Sequence, residues 1–160
     1  MNYCGNFYHE ENEDDMHMIE ERLYLGNFDS TFNEQRLRSV GITHILGLMD
    51  SFKYSHRLEG ITYMQIEISD FPRSNILQHV PNALSFISQS MQTGKVLVHC
   101  QMGVSRSASI VTSYVMVSRS LEFKHAIELI RQCRPCVSPN SGFQKQLTSI
   151  DINEYKRYLL

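Results

Sequence analysis

The sequence predicts an α/β domain built on a central, mainly parallel, twisted sheet of about four to five strands flanked by about five to six helices. Three observations carry that expectation. From Arg22 onward, short apolar and β-branched runs alternate with stretches of helical periodicity, with no internal repeat and no low-complexity linker. Val96-Leu97-Val98 is continuously apolar, as in strands covered on both faces. Finally, 160 residues at 42% hydrophobic and 20% charged are enough for one core of ordinary size, so neither disulfides nor a metal is needed to hold it.

Taken in order, Leu23-Tyr24-Leu25 reads as a short strand closed by Gly26-Asn27. Thr31, followed three residues later by Glu34, reads as a capping box that opens a helix, and Gly41 as its stop. Residues 43–48 and 61–68, rich in β-branched and apolar side chains, read as buried strands. A helix is expected over 76–92, because Val80, Leu84, Ile87 and Met91 share a face and Gly94 ends it; Pro81 fits only its first turn. After the strand at 96–98, residues 105–119 include Ile110, Val111, Tyr114, Val115 and Val117. An almost all-round apolar helix of this kind runs through a core. Two more helices carry stripes of Phe123, Ala126, Ile127, Ile130 and of Phe143, Leu147, Ile150.

Charge divides the chain unevenly. The first 21 residues hold seven acids and no Lys or Arg, while the rest hold all 15 Lys and Arg against ten acids, a net +5. Residues 1–21 are therefore expected to be an acidic, flexible segment, and 22–160 the folded domain. A body at +5 favours anionic ligands but is too weakly basic to imply nucleic acid. No apolar run approaches the ~20 residues of a membrane span, Asn2 stands where myristoylation needs Gly, and the tail has no cysteine to prenylate. No membrane partner is expected, and the cytoplasm, with the nucleus accessible, is the expected compartment.

Chemistry concentrates in His99-Cys100-Gln101-Met102-Gly103-Val104-Ser105-Arg106-Ser107, between the buried strand and the core helix. The carboxyl end of a strand in an open α/β sheet is where ligands bind. A loop there that opens a helix gathers backbone N–H groups and the positive helix end into an anion cradle. The backbone of Gln101, Met102, Gly103, Val104 and Ser105 would line it, with Gly103 permitting the tight turn. Arg106 would hold two phosphate oxygens with its planar fork. The same surroundings favour negative charge on the Cys100 sulfur, so a thiolate is expected, a nucleophile aimed at phosphorus whose oxygens are already held.

Together with Leu23-Tyr24-Leu25-Gly26, Gly41-Ile42-Thr43-His44-Ile45-Leu46 and Pro139-Asn140-Ser141-Gly142-Phe143, this segment resembles the cysteine-based protein phosphatases, specifically their small dual-specificity branch, over about residues 22–158. The resemblance implies a tyrosine-phosphatase-like fold and hydrolysis of phosphotyrosine and phosphoserine or phosphothreonine in proteins through a phosphocysteine. It implies that Cys100 is the nucleophile, that Arg106 binds phosphate, and that Ser107 hydrogen-bonds the sulfur so that it leaves more readily. His99 would support the loop and thiolate, and Asn140 would brace the loop from behind. Met102 departs from the pattern, which more often has Ala or an acidic residue, and bears on substrate preference. No cofactor and no metal are required.

Expulsion of an alkoxide or phenoxide needs a proton donor. Asp70 follows a strand, precedes a helix and stands 30 residues before Cys100, so its loop returns to the same sheet edge. The resemblance implies the same loop for the acid. Asp50 is the nearest competitor, and Arg73 could contact substrate anions. Cys133 and Cys136 form a Cys-x-x-Cys without the second pair a zinc site needs. They read as two partly buried thiols, of which one, or Cys4, could pair with Cys100 under oxidation.

The loop between Cys100 and Arg106 is uncharged, whereas enzymes of this chemistry that act on inositol lipids resemble one another in carrying charge there; a phosphorylated protein is the expected partner. The alternatives are a catalytically weak phosphate-binding module on the same fold, or a phosphatase of RNA 5′ ends or lipids. Oligomeric state is left open.

Overall fold

A computed structural model describes residues 15–160. Among these, five strands form one sheet: β1 (Met16–Glu20), β2 (Leu23–Gly26), β3 (Ile42–Met49), β4 (Thr62–Glu67) and β5 (Lys95–His99), in the order β1-β2-β5-β3-β4. The last four run parallel, and β1 pairs antiparallel with β2 at the edge. Six α-helices cover the sheet: α1 (Glu34–Val40), α2 (Val80–Thr93), α3 (Arg106–Arg119), α4 (Phe123–Cys133), α5 (Ser141–Thr148) and α6 (Ile152–Tyr155).

The side-chain alternation of the strands sorts the core into two layers. Leu23, Leu25, Leu46, Leu48, Val96 and Val98 pack with α2 and α3 residues such as Leu84, Ile87, Ile110 and Val111. On the other face Tyr24, Ile45 and Leu97 meet Leu37 of α1, with Ile42 and Leu58. Continuous apolar strand sequences are thus explained by helices on both faces. Each fully buried Val or Leu contributes roughly 1.5–3 kcal/mol, so the central strand β5 is anchored by packing as much as by hydrogen bonds. No helix among the described residues is long and apolar enough to cross a membrane.

Several expectations are corrected. The flexible acidic segment does not reach residue 21: Met16–Glu20 is a strand, its Met16 buried. Acids flank the apolar pattern of Met16, Met18 and Ile19 on both sides, so charge alone conceals a strand that pairs with β2. Residues 1–14, including Cys4, lie outside the described residues. Thr31 does not cap α1. It lies in a 3₁₀ turn (Asp29–Phe32) with its Oγ1 donating to the Phe28 carbonyl, and Asn33 caps the helix by accepting from Arg36 N–H at 3.0 Å. Both residues compete for the same role, and Asn33 is adjacent to the first turn. Gly41 does end α1, with φ +85°. α2 starts at Val80 rather than 76, because residues 76–80 form a tighter turn ahead of Pro81. Ile150 falls just beyond α5. Cys136 is disulfide-bonded while Cys133 is a free thiol, so the Cys-x-x-Cys is not the pair of thiols expected.

Candidate active site

Because β2, β5, β3 and β4 run parallel, the segments that follow them emerge at one edge of the sheet. Phe28 after β2, the loop of residues 100–105 after β5, Asp50 after β3 and Asp70 after β4 meet there. This convergence is what topology contributes to the site.

Each carbonyl of the loop from 100 to 104 is turned outward and held from behind. Cys100 O lies 3.2 Å from His99 Nδ1, Gln101 O accepts from Phe28 N–H at 3.1 Å, and Val104 O accepts from Ser138 N–H at 2.8 Å. Between them, Met102 O and Gly103 O accept from Arg134. All peptide bonds among the described residues are trans. A planar trans peptide carries its N–H opposite its C=O, so the N–H groups of residues 101–105 face the other way, into a common concavity. Gly103 makes the turn at φ +66°, a conformation that disfavours side chains. A Cβ there would also stand 2.5 Å from the Gly26 carbonyl.

Cys100 lies at the floor of this ring, 2% exposed. Its Sγ accepts from Gly103 N–H at 3.2 Å and from Ser107 Oγ at 3.0 Å. Both groups donate to the sulfur, one from the loop and one from the first turn of α3. Arg106 opens α3 and is 7% exposed. Its Nη1 donates to Asp50 Oδ2 at 3.2 Å and to the Ile68 carbonyl at 3.1 Å, while its Nε is buried and has no hydrogen-bond partner among the described residues. A buried guanidinium donor without an acceptor suits an anion held over the loop. Ser69 also donates to Asp50, so Asp50 holds Arg106 in place instead of serving as a free acid. In the sequence Asp50 shows only as an acid after a neighbouring strand, which does not distinguish a proton donor from a partner of Arg106.

Asp70 is brought to the site, exposed, with Oδ1 accepting from Ser105 Oγ at 2.7 Å and from Asn140 Nδ2 at 2.8 Å. Asn140 N–H donates to Ser105 Oγ at 2.9 Å, and Asn140 Oδ1 caps α5 by accepting from Phe143 N–H. Asn140 therefore joins loop, acid and helix, a wider connection than bracing the loop from behind. The acid loop also leans on α5 through Gln146, which donates to Ser74 O and accepts from Ile76 N–H. A Cβ on Gly142 would collide with the Pro72 backbone, so glycine permits this close approach. Arg73 is exposed and makes no hydrogen bond or ion pair among the described residues, and Met102 stands at the rim, 40% exposed.

His99 is wholly buried, its ring stacked on Phe28 and edge-on to Phe52 and Tyr54. Burial pushes its pKa down to about 4, which leaves it neutral at physiological pH. A carbonyl can only accept, so Nδ1 carries the hydrogen toward Cys100 O and Nε2 accepts from the Tyr54 hydroxyl at 2.6 Å. Burial holds the Tyr54 phenol well above its ordinary ionisation range. This neutral pair meets the loop at the Cys100 carbonyl. Tyr54 was not foreseen, since a tyrosine between strands reads as an ordinary aromatic, and neither was Arg134.

Comparison with known proteins agrees with this geometry. Residues 23–153 match the family model described as dual specificity phosphatase, catalytic domain. The chain is 39% identical over 137 residues to dual specificity protein phosphatase 22-B of Danio rerio, covering 85% of this chain and 74% of that protein. It is 44% identical over 132 residues to the dual specificity protein phosphatase MPK-4 of Drosophila melanogaster, covering 81% of this chain and 34% of that longer protein. The crystal structure of DUSP15 superposes with a TM-score of 0.84 at 34% identity, over 89% of this chain and 92% of that one. With the family's cysteine seated in a ring of main-chain donors at the carboxyl edge of the sheet, the chain belongs to the dual-specificity phosphatases, cysteine-based enzymes that hydrolyse phosphotyrosine and phosphoserine or phosphothreonine in proteins.

Proposed function

We propose that Cys100, Arg106, Asp70 and Ser107 carry that hydrolysis in this chain. Cys100 attacks phosphorus as a thiolate. A P–S bond forms as the P–O bond to the substrate side chain breaks, and Asp70 gives its proton to the departing oxygen. Because Oδ1 of Asp70 already accepts two hydrogen bonds, the proton belongs on Oδ2. In the second half-reaction the Asp70 carboxylate takes a proton from water, whose oxygen attacks phosphorus. The P–S bond breaks and Cys100 departs as a thiolate, eased by the Ser107 hydroxyl 3.0 Å from its sulfur.

Throughout, the N–H groups of residues 101–105 and the Arg106 guanidinium bind the equatorial oxygens, which carry the charge in the transition state. His99 and Asn140 position these groups without touching substrate. The observation that carries this reading is the outward fixing of all five loop carbonyls around a sulfur that accepts two hydrogen bonds. A phosphorylated protein is the substrate, and Cys100 is competent only while it is reduced.

The test is phosphate release from an aryl phosphate in the presence of chelator, with mass spectrometry of acid-quenched enzyme to detect phosphocysteine. Both signals should be present in the wild type and absent in Cys100→Ser, which should still bind phosphate. Turnover by Cys100→Ser near the wild-type rate would remove Cys100 from the role.

A further inference from the structure

We infer that Arg134 is a positioning residue for the phosphate loop, holding from behind the two peptide planes whose N–H groups form the middle of the cradle. The inference rests on the reading of Cys100 as the nucleophile given above. Arg134 directly follows α4, and its side chain is 1% exposed. Its Nη2 donates to Met102 O at 3.2 Å, its Nε donates to Gly103 O at 2.9 Å, and its Nη1 donates to His17 Nδ1 on β1 at 2.8 Å.

Peptide geometry gives these contacts their consequence. The Met102 carbonyl and the Gly103 N–H are opposite ends of one rigid plate, as are the Gly103 carbonyl and the Val104 N–H. Fixing the carbonyl ends aims the N–H ends into the concavity, and the Gly103 N–H does reach Cys100 Sγ at 3.2 Å. Elsewhere in the loop one donor serves one carbonyl; among the described residues Arg134 alone spans two adjacent ones. A planar guanidinium does this because its donors lie at fixed spacing in one plane, which a lysine ammonium does not reproduce.

Residue 103 is matched to the guanidinium. A Cβ at Gly103 would stand 2.7 Å from Nη2. The loop conformation and the seat of Arg134 are therefore two halves of one fit. Through His17 the same side chain ties the loop to the edge strand β1, giving that strand a role beyond extending the sheet.

The experiment compares alkylation of Cys100 in the full chain by iodoacetate, an anion that the cradle attracts, and by iodoacetamide, which is neutral. Wild type, Arg134→Lys and Arg134→Met are measured alongside thermal unfolding and kcat for an aryl phosphate. Arg119→Met, which breaks an exposed ion pair between α3 and β1, is the control. The wild type and Arg119→Met should prefer iodoacetate equally. Both Arg134 variants should lose about fivefold of that preference, the worth of one misdirected hydrogen bond, and kcat should fall with it.

Arg134 variants that keep the wild-type preference and kcat, whatever their melting temperature, would overturn the inference. So would failure of both to fold, which would assign the guanidinium to the fold alone. A wild type with no preference for iodoacetate would instead overturn the reading of Cys100.

Discussion

The loop of residues 100–105 and the loop of residues 69–79 face each other across one sheet edge and are built in opposite ways. The first has a buried floor at Cys100, Gly103 and Ser105 and is fixed at every carbonyl from 100 to 104, by donors from four separate parts of the chain. The second is largely exposed, with Asp70, Phe71, Pro72 and Arg73 all solvent-facing, and it is tied down by side chains: Ser105, Asn140 and Gln146. The difference matches the two tasks. Stabilising a phosphorane-like charge works through donors that need not reorganise, whereas donating a proton tolerates a loop that adjusts to leaving groups of different size.

If the contrast is real, damage to the first loop should harm every substrate and damage to the second should harm only those that need a proton. Arg106→Lys, which loses the fork but keeps the charge, should lower kcat/KM by about 10³-fold on aryl and alkyl phosphates alike, as removal of a preorganised oxyanion donor does. Steady-state kinetics on nitrophenyl phosphate and a phosphothreonine peptide measures it, and a loss under tenfold would detach this arginine from the phosphate. Asp70→Asn should cost about 10²-fold on the phosphothreonine peptide and far less on nitrophenyl phosphate, whose leaving group needs little protonation. Equal losses would dissolve the contrast and shift attention to Asp50.

A third measurement addresses the support beneath the first loop. His99 is depressed from 6.5 to about 4 by burial. Above pH 6.5 it is neutral folded and unfolded, and costs nothing. Below 6.5 the unfolded chain takes up a proton that the folded one refuses, so stability falls as pH drops from 6.5 toward 4, by about 3 kcal/mol in all. Urea unfolding at pH 7, 5.5 and 4 should show this loss, and His99→Gln should flatten it. An unchanged slope in the variant would mean that the loop's support does not titrate. The smallest effect is expected from Asn140→Asp, which keeps the cap on α5 but turns a donor to Asp70 into a like charge. It should slow the phosphothreonine peptide about tenfold, the worth of about one hydrogen bond to a charged group, while thermal unfolding moves little. A shift in melting temperature without a rate change would make Asn140 a cap alone.

How much of this could be read in advance follows the same division. Strands β2 to β5 and helices α2 to α5 are legible because each has its own period or apolar run, and Cys100, Arg106 and Ser107 because they crowd into eight residues with a glycine among them. The hidden parts depend on partners distant in sequence. Nothing near Asp50 announces that Arg106 will fold back on it, and Arg134, after a helix end and beside a proline, reads as a solvated cation until the loop it faces is known. β1 is hidden for a further reason: acids flank it in sequence and its own Glu20 is matched by the distant Arg119 while Met16 is buried, so composition and pattern disagree.

The placement of β5 between β2 and β3 has a consequence for synthesis. A chain emerging amino terminus first can lay β3 against β4 early, but the strand that carries the nucleophile must slot between neighbours already made, and the residues that lock its loop, Arg134, Ser138 and Asn140, emerge later still. A stalled or prematurely ended translation product therefore holds the thiol without the surroundings that make it reactive. Dephosphorylation therefore waits until the residues through Asn140 have been made and folded onto the loop.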